Sequence, residues 1–290
     1  MNGLGGDIQM IQALLAAGLW GGTDVFAGMS ARRSTPLLAA VWLHLASIAV
    51  IGPYLALVGN WGLISWRDAT FGILAGIIAA IGDVLFGRSL SKTSMTIGIP
   101  LANVIAAAIP ALVAIALGDH VTLVGCIGIS GALLASALAV APSNGHLAVE
   151  GAGYAAVAGV CFGIMYGLLA HVQAGGSLPV IFLMRCAGTF SLLPSTFRAS
   201  AGWTAMLVRG GIFTGVLSGI TSVGANWLFV LAMSSGSRVT LSVVAIAFSA
   251  PIGMLIVNLI GRERLTAVQG FSAIFAVMGI AFLAIPKTML

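Results

Sequence analysis

Long apolar segments follow one another along almost the whole chain and are separated by short polar connections. A helix needs about 20 apolar residues to cross the hydrocarbon core of a bilayer. By this criterion the pattern predicts an all-α integral membrane protein with ten transmembrane helices. No connection is long enough to fold as a separate soluble domain, so we expect any activity to reside within the helical bundle. The predicted spans are residues 9–30, 37–59, 70–89, 95–117, 121–141, 152–173, 178–198, 208–232, 239–260 and 265–286.

The composition agrees with a protein that has lipid as its main solvent. Hydrophobic residues make up 60% of the 290 residues and charged residues only 7%, and the mean hydropathy is +1.13. A soluble domain carries about 25% charged residues, so this chain has too little polar surface to face water. Its 12 Lys and Arg are scattered, which excludes the clustered basic surface of a nucleic-acid-binding protein.

Three cysteines, Cys126, Cys161 and Cys186, lie inside apolar runs without metal-ligand spacing. We expect them to be buried small side chains, and we predict no metal or other cofactor. The first span carries Asp24 and has no Lys or Arg before it, which argues against a cleaved signal peptide. Glycines four residues apart predict close packing between helices. These are Gly18/Gly22, Gly72/Gly76, Gly163/Gly167 and Gly211/Gly215/Gly219.

The two halves of the chain resemble each other at an offset of about 142 residues. Each half has five predicted spans, and an odd number makes the second copy enter the membrane from the opposite side. The sequence therefore predicts two inverted five-helix repeats, residues 1–145 and 146–290, in a single bundle. Secondary transporters commonly have this arrangement, with the substrate site between the repeats. Equivalent positions include Trp20 and Phe162, Phe86 and Phe229, and Pro110 and Pro251.

The chain resembles the drug/metabolite transporter superfamily, EamA type, over essentially its whole length. Pro251, Glu263 and Gly270 match the family's mid-span proline, its Gly-x-Glu turn and its glycine-rich last helix. In the first half, Asp119 and His120 stand near the position of the family's usual glutamate. Within the superfamily the chain looks most like the bacterial YddG-type exporters of aromatic and other amino acids. The resemblance implies a multi-pass transporter of the bacterial cytoplasmic (inner) membrane that works by alternating access.

The basic residues in the connections predict how the protein is oriented. Eight Lys and Arg follow spans 1, 3, 7 and 9, whereas three lie on the other face. Because positive charge is retained on the cytoplasmic side, we expect both termini to face outward. The eight are Arg32, Arg33, Arg88, Lys92, Arg198, Arg209, Arg262 and Arg264, and the three are Arg67, Arg238 and Lys287.

Two acids, Asp24 and Asp83, lie inside predicted spans toward their cytoplasmic ends. A charge at the centre of a span costs about 2.5–3.5 kcal/mol to insert into the membrane, so each acid is expected to have a partner or a function. They either pair with Arg88, Lys92 or each other's neighbours near the membrane interface, or accept a proton or the amino group of a substrate. Partial burial favours the protonated form of a carboxyl group, which suits proton coupling.

The other polar residues within spans leave similar alternatives. Arg185 either neutralises a buried acid or binds a substrate carboxylate through its planar guanidinium. His44 is either a helix–helix hydrogen-bonding group or part of a proton relay. Asn103 and Asn226 either link helices or bind the polar end of a zwitterion. All four are candidates for the substrate-binding cavity, together with Asp24 and Asp83.

Aromatic residues and prolines add to the candidate site. Trp20 and Phe162 are repeat-related, and Tyr166 lies one helical turn after Phe162 on the same face. These rings either line a cavity for flat or apolar groups or simply pack. Pro110 and Pro251 each remove a helical hydrogen bond, so we expect both helices to bend there and to act as gating hinges.

The leading hypothesis is a secondary transporter that exports small metabolites, most of all amino acids including aromatic ones. Proton coupling and facilitated export both stay open. Efflux of drugs or hydrophobic cations and transport of nucleotide sugars or other metabolites are the alternatives. An intramembrane enzyme is not expected. The segment closest to the Gly-x-Gly-Asp motif of an aspartyl protease ends at Asp83 but lacks the first glycine, and no zinc or Walker motif occurs. We expect a monomer whose partners are lipid, a small-molecule substrate and protons if coupled, and no nucleic acid.

Overall fold

The computed structural model describes residues 2–116, 146–198, 209–233 and 238–260, together with residues 263, 266, 267, 270, 271 and 274. Within this part the chain forms long helices and no strand. The fifth predicted span, and all but isolated positions of the tenth, lie outside the described residues. The long helices are α1 (Asn2–Arg33), α2 (Pro36–Val58), α3 (Trp66–Lys92), α4 (Met95–Ala116), α5 (His146–Leu169), α6 (Ser177–Arg198), α7 (Arg209–Met233) and α8 (Arg238–Leu259).

Six of these helices, α1, α2, α3, α5, α6 and α7, contain segments long and apolar enough to cross a membrane. The described apolar stretches of α4 and α8 are shorter, at Met95–Pro110 and Ile246–Leu259. Backbone groups must be satisfied internally in lipid, and a helix does this within one segment. The helices therefore indicate a multi-pass membrane protein, as the composition predicted.

The helices do not begin and end where hydropathy changes. Helix α3 runs from Trp66 to Lys92, beyond the predicted span 70–89. Helix α5 ends at Leu169, earlier than predicted, because the amides of His171 and Val172 bond back by only three residues, to carbonyls at distances of 3.2 and 3.1 Å. Hydropathy finds the apolar segment, but local hydrogen bonding decides where the helix stops.

Capping residues set the tight turns between neighbouring helices. Thr35 accepts a 3.2 Å hydrogen bond from the Leu38 amide at the start of α2, and Pro36 follows it in the first turn. Gly59 ends α2 with φ 61°, a left-handed conformation that favours glycine. Ser65 then caps α3 by accepting from the Asp68 amide at 3.0 Å.

The helix contacts between the two halves form matched pairs. Helix α1 packs against α7 and α8, and its counterpart α5 packs against α3 and α4. Likewise α2 contacts α7 while α6 contacts α3, and the equivalent helices α4 and α8, and α2 and α6, touch each other. When α1–α4 are exchanged for α5–α8, each of these contacts becomes either another contact of the set or itself.

Close approach between helices occurs at some of the predicted glycines and not at others. A side chain at Gly76 would overlap the Met184 backbone, and one at Gly163 would lie 2.7 Å from the Ile109 Cβ. Gly18 and Gly167, in contrast, have nothing within 4 Å of a built Cβ. Spacing alone predicted both groups, whereas helix rotation decides which glycines face a neighbour.

Two ion pairs join the halves at one end of the bundle, which we call the basic end. Arg32 at the end of α1 pairs with Glu263 at 2.8 Å, and Lys92 at the end of α3 pairs with Glu150 on α5. Arg33 also donates to the carbonyl of Gly210 at 3.2 Å. The structure thus brings together connections that the charge distribution had assigned to one face.

At the opposite end, the turns after α2 and α5 meet. Arg67 donates to the carbonyl of His171 at 3.1 Å. The side chains of Trp61 and Trp66 are exposed, as expected for aromatic residues at a membrane interface.

Candidate functional site

A cavity lies between α1, α2, α3, α5, α6 and α7, at residues near the middle of these helices. Its empty volume is about 410 Å³, including the open space at its mouth. Seven of the nine residues predicted for a substrate cavity line it, and the other two, His44 and Asn103, contact lining residues. The lining consists of Trp20, Thr23, Asp24, Ala27, Leu43, Ala79, Asp83, Phe86, Phe162, Met165, Tyr166, Arg185, Ser222 and Asn226.

Helical periodicity explains why these residues share the cavity. Thr23, Asp24 and Ala27 follow Trp20 at spacings of three, four and seven residues along α1. Residues at such spacings lie on one face of a helix. Phe162 and Tyr166 lie four residues apart on α5 and therefore also share one face of their helix.

Asp24 is held by Asn103 and not by a basic residue near the interface. The amide nitrogen of Asn103 donates to Oδ2 of Asp24 at 2.6 Å, in a buried contact between α1 and α4. Arg88 instead lies over the Tyr154 ring, 6.0 Å from its centroid, and Lys92 pairs with a glutamate. Pairing of Asp24 with Arg88 or Lys92 is therefore wrong, because α1 turns this carboxylate toward the cavity and α4.

Asp83 lies beside His44. The distance between His44 Nε2 and Asp83 Oδ2 is 3.2 Å, the imidazole is completely buried, and the carboxylate side chain is 15% exposed. A Cβ at Gly188 would lie 2.8 Å from the His44 Nδ1. The imidazole therefore fills the space that the glycine leaves on α6, and α2 presents it to the acid of α3.

Arg185 is buried at the cavity and is only 2% exposed. Its Nη2 donates to the Ser222 hydroxyl at 2.6 Å. None of the ion pairs found among the described residues includes Arg185. The guanidinium thus donates to a neutral hydroxyl, and no described acid lies within ion-pair distance of it.

Two groups of aromatic rings flank the polar side chains. Trp20, Tyr166 and Phe229 pack together with centroid distances of 4.7, 5.2 and 5.6 Å. Phe86 and Phe162 meet edge to face at 5.6 Å. Four of these five rings line the cavity, so the cavity has an apolar wall as well as charged groups.

The prolines lie outside the lining. Pro110 is inside α4 and Pro251 is inside α8, and these two helices pack against each other. Their role as hinges stays a prediction. Helices α2, α4 and α6 also contain Pro53, Pro100 and Pro194, which the sequence interpretation did not single out. Pro53 and Pro194 lie at the same offset as Pro110 and Pro251, so the offset between the repeats was the available signal.

Small hydroxyl residues were the part of the site that the sequence interpretation missed. Ser222 binds Arg185, and Thr23 lies 2.8 Å from the hydroxyl of Thr221 across α1 and α7. Ser222 precedes Asn226 by four residues, so helical spacing from a candidate residue was the available signal.

A solved structure described as "Crystal structure of protein" matches 96% of this chain and 98% of its own, with a TM-score of 0.70 and 18% sequence identity. At this identity the likeness shows the fold alone, which the two proteins share over nearly their whole lengths. No family model matches the chain, and no curated protein matches it.

Proposed function

We propose that this chain is a secondary transporter that exports small metabolites, in the first place amino acids including aromatic ones. The observation that carries the proposal is the central cavity, which residues of both halves line with acids, an arginine and aromatic rings. Buried ionisable groups within a membrane bundle are expensive and generally mark a substrate or ion path.

The charges at the cavity are complementary to a zwitterion. The carboxylates of Asp24 and Asp83 suit a substrate ammonium group, and the guanidinium of Arg185 suits a carboxylate. The ring cluster around Trp20 gives a surface on which a flat or apolar side chain can pack. An amino acid has all three features.

Alternating access is supported by the matched helix contacts and by the ion pairs at the basic end. Two inverted five-helix repeats would produce such matched contacts. If the two repeats exchange their conformations, the cavity opens first to one side of the membrane and then to the other. The contact of Arg32 with Glu263 joins the halves at one end. We propose that this end faces the cytoplasm and that it must separate when a substrate enters.

The resemblance to EamA-type drug/metabolite transporters, and within them to YddG-type exporters, points to the same function. It is the basis on which we assign the chain to the bacterial cytoplasmic membrane. The charge distribution is the basis on which we place both termini outside.

Efflux of hydrophobic cations is the second candidate, and the two acids at the cavity favour it. Asp24 and Asp83 would then bind the cation directly. Arg185 weighs against this alternative, since a buried positive charge repels a cationic substrate that carries no carboxylate.

Transport assays in proteoliposomes test the proposal. Purified protein is reconstituted, and counterflow is measured with a panel of labelled amino acids and a hydrophobic cation at several pH gradients. We expect counterflow of amino acids in the wild-type protein. In Arg185→Met we expect this flux to fall at least about tenfold, because the loss of a buried charged contact commonly costs more free energy than a tenfold change represents. Leu57→Ala is the matched control, since Leu57 lies on α2 with 88% exposure.

The outcomes separate the candidates. No flux of any amino acid would refute the leading substrate class, and flux of the cation alone would establish the second candidate. If Asp24→Asn and Asp83→Asn keep flux with an unchanged response to pH, neither acid couples transport to protons.

A further inference from the structure

Arg185, Ser222 and Asn226 form a polar cluster contributed entirely by the second half of the chain. Ser222 and Asn226 lie four residues apart on α7, and Ser222 accepts from Nη2 of Arg185 on α6 at 2.6 Å. Arg185 and Asn226 are 2% and 1% exposed. All three residues line the cavity.

Two atoms of this cluster have no hydrogen-bond partner among the described residues, Nε of Arg185 and Oδ1 of Asn226. One is a donor with a positive charge and the other is a neutral acceptor. Leaving such buried atoms unpaired is costly, and both lie on residues at a cavity. A ligand with one acceptor group and one donor group would satisfy them together.

The first half contributes an acid where the second half contributes Asn226. Phe86 and Phe229 are equivalent positions of the internal repeat, and the residues three positions earlier are Asp83 and Asn226. Both of these line the cavity, and Oδ2 of Asp83 lies 3.2 Å from Nε2 of His44. Equivalent positions on α3 and α7 thus present a carboxylate and a carboxamide to one space.

We propose that this difference sets the charge class of the substrate, with Asn226 as a specificity-determining residue. The inference rests on the proposed transport function and deepens it. Arg185 receives the single carboxylate of the substrate, while Asp83 and the amide oxygen of Asn226 receive its single ammonium group. Asp24, the other acid of the cavity, is already bound by the Asn103 amide at 2.6 Å. A neutral amide at position 226 therefore leaves no further carboxylate for a second ammonium group, and substrates with two cationic groups are disfavoured.

Changing the number of acids at the two equivalent positions tests the inference. The probes are phenylalanine, lysine, 1,4-diaminobutane and phenylpyruvate, each measured for counterflow in proteoliposomes. We expect Asn226→Asp to raise the lysine-to-phenylalanine flux ratio by about tenfold or more, which is well within the effect of one charge at an effective dielectric constant of about 20. The flux of 1,4-diaminobutane should rise in the same variant.

Three further variants separate charge from shape. Asn226→Ser keeps position 226 neutral and should keep the wild-type flux ratio. The exchange variant Asp83→Asn/Asn226→Asp restores one acid and should return the ratio toward wild type. Asp83→Asn removes the only acid of the pair and should raise the phenylpyruvate-to-phenylalanine ratio.

The results distinguish this inference from the function on which it depends. If the wild-type protein carries no amino acid, the proposed function fails and this inference fails with it. If the wild type carries phenylalanine but Asn226→Asp leaves the lysine ratio unchanged, only the specificity role of Asn226 is refuted. Folding of Asn226→Asp is checked by its monodispersity in detergent. If this variant does not fold, Asp83→Asn provides the test. An unchanged phenylpyruvate-to-phenylalanine flux ratio in folded Asp83→Asn would also overturn the inference.

Discussion

Glu263 links the connection after α8 to the first half of the chain, and we predict that its replacement by glutamine loosens the basic end. Oε1 of Glu263 lies 2.8 Å from Nη2 of Arg32. Oε2 accepts from the amide and the hydroxyl of Thr96 at 3.1 and 3.3 Å. One carboxylate therefore binds the end of α1 and the start of α4 at the same time.

The magnitude follows from the charge and the exposure of these groups. A hydrogen bond to a charged group contributes about 1.5–3 kcal/mol, but exposed ion pairs contribute only about 0–1 kcal/mol. The Arg32 and Glu263 side chains are 33% and 16% exposed, between these limits, and glutamine keeps one acceptor. We expect Glu263→Gln to cost the closed arrangement about 1–2 kcal/mol, which shifts its equilibrium with the open one about 5–30-fold.

Cysteine labelling measures the opening. Cys126, Cys161 and Cys186 are first replaced by serine, and Ala27, a cavity residue of α1 toward the basic end, is replaced by cysteine. An impermeant maleimide added from the basic-end side reaches this cysteine only when that end is open. Glu263→Gln should raise the labelling rate about 5–30-fold.

The ion pair between Lys92 and Glu150 provides the matched control. It joins the same two halves, but its side chains are 39% and 45% exposed. Solvent screens such a pair, so we expect Glu150→Gln to change the labelling rate by about twofold or less. The reasoning is refuted if Glu263→Gln labels at the parental rate, or if Glu150→Gln accelerates labelling equally.

Three other predictions concern packing, the buried amide and the prolines. Gly76→Val should lower thermal stability in detergent by about 1–3 kcal/mol because its side chain meets the backbone of α6, whereas Gly18→Val should not; equal losses would contradict the packing. Asn103→Ala removes the donor to a buried carboxylate and should cost about 1–3 kcal/mol in the same assay, with unchanged stability counting against that contact. Pro110→Ala and Pro251→Ala should slow counterflow, and full transport in both variants would end the hinge hypothesis.

The sequence was sufficient to locate the eight long helices that the structure describes and to choose seven of the residues that line the cavity. Apolar segments of about 20 residues must be helical in lipid, because the backbone has no water to bond. Polar residues in such segments face the bundle interior. Asp24, Asp83 and Arg185 were selected on this basis, and Trp20 was selected as an aromatic residue equivalent to Phe162 in the repeat. The structure places all four at one cavity.

The sequence did not determine which residues are partners. Asp24 had basic candidates in nearby connections, yet its partner is Asn103, 79 residues away. The choice depends on how α1 is rotated against α4, and hydropathy gives no information about rotation. The same reason explains why Gly76 meets a neighbouring backbone while Gly18, with the same spacing pattern, meets nothing.

Sequence by itself thus determined that the chain is a helical membrane protein and which polar side chains its interior must hold. Only the tertiary structure decided that Arg32 and Glu263 join the two halves, that His44 lies beside Asp83, and that Arg185 binds a hydroxyl. Hydropathy depends only on the residues of one segment, and it determines which solvent that segment prefers. Partner choice is a property of the packed bundle, because it depends on the rotation and depth of two helices relative to each other.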